Sequence, residues 1–169
     1  MSLPIGLENF TDVRTSTEGP EYSVGAVYTD NSTGNRYCYV ENAGASATVV
    51  GDVCGVFLTS DRLGEISTTA ATTLVNNDGT LAVTVVAGIA LGAIAAGGFG
   101  WLQVGGFCSN VTTDTNCDAS EGLYCADDAK VAAPLIANAQ HGCFGVCITA
   151  DGATSTSTGV LLTNCAFDA

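Results

Sequence analysis

The chain has 169 residues, a formal net charge of −13 and only four Lys and Arg against seventeen Asp and Glu. That length fits one domain with enough core to fold without staples. The acidic balance excludes a phosphate-gripping basic face and disfavours an anionic membrane surface. Its simplest physical role is to keep a chain that is 47% hydrophobic from associating at random.

Residues 1–22 show no period, and Pro4 and Pro20 bracket polar sequence, which predicts an extended N-terminal arm. The opening MSLPIGLENFTD lacks the basic stretch and continuous apolar core of a secretory signal, so the chain is expected either to be made and used inside a cell or to begin after processing, and Met1 favours the first. Residues 23–42 predict a hairpin. Val24, Ala26 and Tyr28 alternate before a turn cluster at 30–35, and Tyr37, Tyr39 and Glu41 alternate with Cys38 and Val40 after it. The apolar run 47–59 follows, with Gly51 and Gly55 marking bulges or bends.

The most apolar stretch, Leu81 to Gly106, lies in a charge-free run between Asp78 and Asp114. It is long enough to span a bilayer. However, Gly97, Gly98 and Gly100 would each cost a helix about 1 kcal/mol, and no Lys or Arg flanks it to set orientation. A strand–turn–strand unit is the better reading. Leu81, Val83, Val85, Ile89 and Leu91 lead in, Gly97-Gly98 makes the turn, and Phe99, Trp101 and Val104 lead out.

Residues 109–130 predict an acidic, cysteine-containing loop, and Cys143–Ala150 with Gly159–Cys165 a last hairpin around Asp151-Gly152. Pro134 interrupts the alanines at 129–139 as a helix. Taken together, the pattern predicts an all-β fold: a small single-domain β-barrel or β-sandwich of short antiparallel strands spanning 23–169, preceded by the arm.

Chemistry is sparse. The single histidine, His141, lies two residues from Cys143, but this spacing alone neither lowers a thiol pKa nor orients a base. His141, Cys143 and Cys147 lack a nameable fourth metal ligand. Asp114, Asn116 and Asp118 start like a calcium loop. The match breaks where Ala119 replaces the turn glycine and Cys125 the bidentate glutamate, leaving Glu121 with no defined role. Asp127 and Asp128 are adjacent and so point apart. Asn9, Asn31 and Asn110 lie in glycosylation sequons. Eight cysteines permit four disulfides in 105 pairings, and Cys117 and Cys125, in a polar loop, are the best candidate pair. No catalytic, cofactor-binding or metal site is predicted, and no enzymatic activity.

One pattern extends the reading. The segment Glu21-Tyr22-Ser23-Val24-Gly25, the hairpin Asn35-Arg36-Tyr37-Cys38-Tyr39-Val40 and the run from Gly88 through Gly97-Gly98-Phe99-Gly100-Trp101-Leu102-Gln103 to Gly106 resemble small structural proteins of tailed bacteriophages, especially head decoration (cement) proteins. Phe144–Ala150 and Leu161–Cys165 resemble the last hairpin of that family, and the likeness covers roughly 21–108 and 131–165. The acidic loop and the cysteine richness depart from the family pattern.

The resemblance implies a non-enzymatic virion protein, assembled in the host cytoplasm, that binds the outside of a major capsid protein lattice, often as a homotrimer. It makes Gly97, Gly98 and Trp101 structural fixtures of a hairpin. The arm residues Leu3, Pro4, Ile5 and Phe10 become candidates for docking on the capsid. Neither nucleic acid nor membrane is an expected partner. The alternative is a disulfide-containing cell-surface or secreted adhesion module.

Overall fold

A computed structural model describes residues 10–43, 46–56, 65–67, 86–113, 117–125, 132–134, 143–149, 157–163 and 165. The order is β1 (Val27–Thr29), β2 (Arg36–Asn42), β3 (Val53–Val56), β4 (Glu65–Ser67), β5 (Val86–Ala90), β6 (Phe99–Thr112), β7 (Gly122–Cys125), β8 (Ala132–Pro134), β9 (Gly145–Cys147) and β10 (Ser157–Leu162). Among the described residues there is no helix, so none is long and apolar enough to cross a membrane. The fold is all-β, as the alternation predicts.

The strands form one sheet in the order β1-β2-β4-β3-β5-β6-β10-β9-β7-β8, with an added β2–β6 pairing. Every pairing is antiparallel except β2–β4. The expected barrel is not closed. The β2–β6 pairing folds the first half of the sheet back on itself, but β4 joins each neighbour by only two rungs. The sheet stays open from β1 to β8. The physical reason lies in β6, which at 14 residues exceeds the usual strand length. It pairs with β2 through Gly105 and with β10 from Gly106 onward, so its second half carries the sheet on to β10, β9, β7 and β8, which do not return to the first half.

The partner switch coincides with a kink. Gly106 adopts φ +82°, a left-handed conformation that suits glycine. The β2–β6 register also shifts between Arg36 and Tyr37. Two side chains brace the kink. Gln103, buried, donates its amide to the Gly105 and Phe107 carbonyls at 3.2 and 2.8 Å. Asn35 Oδ1 accepts the Phe107 N–H at 3.0 Å.

The period-2 alternation of β2 sorts its side chains onto two faces. Cys38 and Val40 enter a continuous aliphatic core that includes Val53, Ile89, Leu102, Val104, Leu123, Val160 and Leu162. Each large aliphatic buried there contributes about 1.5–3 kcal/mol. Tyr37 and Tyr39 point to the opposite face and join Phe99 and Trp101 in an aromatic cluster.

Two sequence-based boundaries move. The acidic region expected as a loop over 109–130 holds the end of β6, to Thr112, and the whole of β7. Ser109 and Asn110 read as loop because they face solvent, yet their neighbours Cys108 and Val111 are buried and pair with β10. The central hairpin forms from Val86 onward, with Ile89 opposite Gln103 and Ala90 opposite Leu102, while Leu81, Val83 and Val85 of the expected lead-in strand lie outside the described residues. Its connection, however, runs through residues 91–98 and is not a two-residue turn.

Candidate functional site

The outer face of the sheet is finished differently in its two halves. Over the first half, the N-terminal segment lies on the aromatic cluster. Phe10 stacks on Tyr37 with ring centroids 3.9 Å apart and meets Trp101 edge-on at 5.5 Å. Tyr22 packs against Tyr39 and Trp101 at 5.2 and 5.3 Å. Arg14 and Phe99 exchange backbone hydrogen bonds, both 2.8 Å, and the Glu21 N–H donates to the Tyr39 hydroxyl at 3.2 Å. The Arg14 guanidinium pairs with Glu21 at 2.9 Å, which raises its pKa. With both side chains about two-fifths exposed, this pair adds little stability.

Phe10, expected on a docking arm, is therefore packed on the chain's own sheet. Leu3, Pro4 and Ile5 lie outside the described residues. Trp101 is only 4% exposed beneath this cover. The paired glycines serve two different ends. Gly97 takes φ +71° in the turn closed by Gly98 N–H on the Ala95 carbonyl at 2.9 Å. At Gly98 a Cβ would meet the Arg14 carbonyl oxygen at 2.7 Å, so its bareness admits the N-terminal segment.

The second half of the face has no such cover. Phe107 of β6 stands opposite Leu161 of β10, which stands opposite Val146 of β9. Their inward neighbours Cys108, Val160 and Cys147 are buried, so this rung points outward. Phe107 is 49% exposed, Leu161 41% and Ile148, two residues beyond Val146, 49%. Gly159 keeps the row flat, since a Cβ there would meet the Phe107 ring at 2.8 Å. Sequence reasoning missed this row because it joins three separated segments. The available signal was the Leu161-Leu162 pair, which in a strand must face opposite ways.

An acidic turn borders the row. Asp118–Glu121 closes with Glu121 N–H on the Asp118 carbonyl at 3.1 Å, and Glu121 Oε2 accepts the Asp118 N–H at 2.8 Å. The left-handed residue is Ser120, at φ +77°, one position after Ala119. The turn bonds to β9 through Ser120 N–H to Cys147 O at 2.7 Å and Cys147 N–H to Glu121 O at 2.8 Å. Asp114, Asn116, Asp127, Asp128 and His141 lie outside the described residues. Among the described residues no group of three or more His, Cys, Asp or Glu could hold a metal ion.

Among the described cysteine side chains, Cys38, Cys54, Cys108, Cys117, Cys147 and Cys165 are buried where small hydrophobes belong. Burial pushes the Cys38 thiol up to about 12 and raises that of Cys108, so both stay protonated and poorly nucleophilic. Cys143, half-buried, donates to the Gly145 carbonyl at 3.1 Å, while its sequence partner His141 is not described. Cys117 is buried and Cys125 ends β7, and the side chain of Cys125 is not described, so their pairing stands as an expectation.

No family model and no curated protein matches the chain. Among solved structures, the chain is similar to the head fiber gp8.5 N base in bacteriophage phi29. The TM-score is 0.50 and the identity 11%, over 75% of this chain and 94% of that one. At that identity the likeness is one of fold, and it reaches almost the whole of the phage domain.

Proposed function

We propose that the chain is a non-enzymatic virion structural protein: a capsid decoration protein that binds the outer surface of a major capsid protein lattice, as a homotrimer, and stabilises the head. The observation that carries this reading is the fold likeness to a phage head fiber base over 94% of that chain. The hairpin carrying Gly97, Gly98 and Trp101 supports it, because those residues build a scaffold and leave function to the surface. An outward apolar row beside an acidic turn is a surface suited to binding a protein. The mechanism is mass action, in which a binder that prefers the expanded lattice stabilises that lattice.

Co-sedimentation tests it. The purified chain, mixed with capsids prepared without it, is expected to pellet saturably and to raise the temperature at which the capsids open. A chain that stays in the supernatant at every concentration overturns the reading.

A further inference from the structure

We propose that the outward row formed by Phe107, Leu161, Val146 and Ile148 is the docking face, and that its occupant is a protein surface with an apolar centre bordered by Lys and Arg. The inference rests on the capsid reading and sharpens it by naming the face and the chemistry of the capsid site.

Three observations converge. First, the sheet's outer face is divided: the N-terminal segment covers the aromatic cluster of the first half, while the row on the second half keeps Phe107, Ile148 and Leu161 between 41% and 49% exposed. Apolar side chains gathered on neighbouring positions of one face mark an interaction site more than the same residues scattered singly would. Second, the row is held rigid. Gln103 and Asn35 brace the kink that presents Phe107, and the β6–β10–β9 register fixes its neighbours. A preorganised face loses less entropy on binding.

Third, the β9 side of the row is acidic, while the one described cation near it, Arg36, stands opposite Gly105 at the far, β6 side. Asp118 and Glu121 lie in the turn bonded to β9, and neither β7, β9, β10 nor β6 contains a Lys or Arg. A second copy that met this face with its own would bring the same acidic β9 side against it and would be repelled there. A basic border around an apolar centre would be steered in and would cover the row. The row is smaller than the roughly 800 Å² per partner of a standard interface, so it forms the centre of the contact and the acidic turn part of its rim.

The test uses the whole chain, its Leu161→Asp and Ile148→Asp variants, and capsids prepared without the chain. Ile148 lies beyond the last residue of β9, so its variant guards against a Leu161→Asp chain that fails to fold; unchanged Trp101 fluorescence certifies each fold. The wild type is expected to bind, and to lose at least about tenfold in affinity between about 50 and 500 mM salt. Each folded variant is expected to lose at least about tenfold at low salt. Wild-type binding that both folded variants retain overturns the face and leaves the capsid reading standing. A wild type that does not bind overturns both. A wild-type oligomer that the variants dissociate makes a second copy the occupant and also overturns the inference.

Discussion

The carbonyl oxygen of Arg14 lies 2.7 Å from the point that a Cβ on Gly98 would occupy, while Gly97, one residue earlier, has only Ser16 near its own Cβ position, at 3.5 Å. The two glycines thus fail differently when substituted. Gly97→Ala forces an L-residue to φ +71° and is expected to cost about 1–2 kcal/mol. Gly98→Ala forces the N-terminal segment off the sheet or deforms the turn, and is expected to cost about 1–3 kcal/mol. Limited trypsin digestion separates them. Arg14 is protected by reciprocal hydrogen bonds to Phe99, so Gly98→Ala is expected to expose this bond to cleavage and Gly97→Ala is not. Equal protection of Arg14 in both variants would count against the packing account.

Phe10 ties the same segment to the aromatic cluster, and the chain's single tryptophan reports on it. Phe10→Ala removes the stack on Tyr37 and the edge contact with Trp101. Because Phe10 is only half-buried, the expected cost is about 1–2 kcal/mol, below the about 3–5 of a core phenylalanine. Uncovering Trp101 should shift its emission to the red in the folded state. Val27→Ala, at a side chain that is 48% exposed, should leave both stability and emission unchanged. An unshifted spectrum for Phe10→Ala would mean that the segment does not shield Trp101 in solution.

Much of this architecture was legible locally. The alternation of Tyr37 and Tyr39 against Cys38 and Val40 announces a strand with two covered faces, and the structure sends those pairs to two different clusters. The connection between β5 and β6 was not legible, because its shape depends on distant partners. Asn42 donates to the Ile94 carbonyl at 2.9 Å, and the Thr48 hydroxyl both donates to Gly92 O and accepts from Ile94 N–H at 2.8 Å. No local pattern of glycines reveals bonds to residues more than 40 positions away. The docking row was hidden for the same reason, since Phe107, Val146 and Leu161 become neighbours only through register.

The hairpin turn between β1 and β2 predicts an acid response. Hydrogen bonds from the Thr33 hydroxyl and then from Ser32 hold the Asp30 carboxyl below its ordinary value. A carboxylate with a depressed folded-state pKa stabilises the fold above its unfolded value, near pH 4, and that contribution disappears as pH falls through the folded value. Acidification also relieves the repulsion of a chain at −13, an effect of opposite sign that sets in at higher pH. Comparing urea midpoints of wild type and Asp30→Ala cancels most of this shared term. The difference should be constant from about pH 7 to about pH 5 and should shrink below about pH 4. A difference that persists unchanged at lower pH would show that the ionised carboxylate is not what holds the turn.

Gln103 links the scaffold to the surface, which makes it the sharpest single test of how the fold presents Phe107. Its amide reaches the Gly105 and Phe107 carbonyls across the kink, so Gln103→Leu removes two hydrogen bonds and puts an apolar side chain of similar size in its place. The expected cost is about 1–3 kcal/mol. Thr48→Val removes the hydroxyl that bonds Gly92 and Ile94 and is expected to cost a similar amount, but at the β5–β6 connection. The two variants should therefore look alike in a denaturation curve and different in amide exchange. Gln103→Leu should speed exchange at the Phe107 N–H, which donates to Asn35 Oδ1, by more than the global loss of stability explains. Thr48→Val should speed it only by that global amount. If Gln103→Leu leaves the Phe107 amide as protected as Thr48→Val does, the kink is held by Gly106 and Asn35 alone, and Gln103 is an ordinary buried amide.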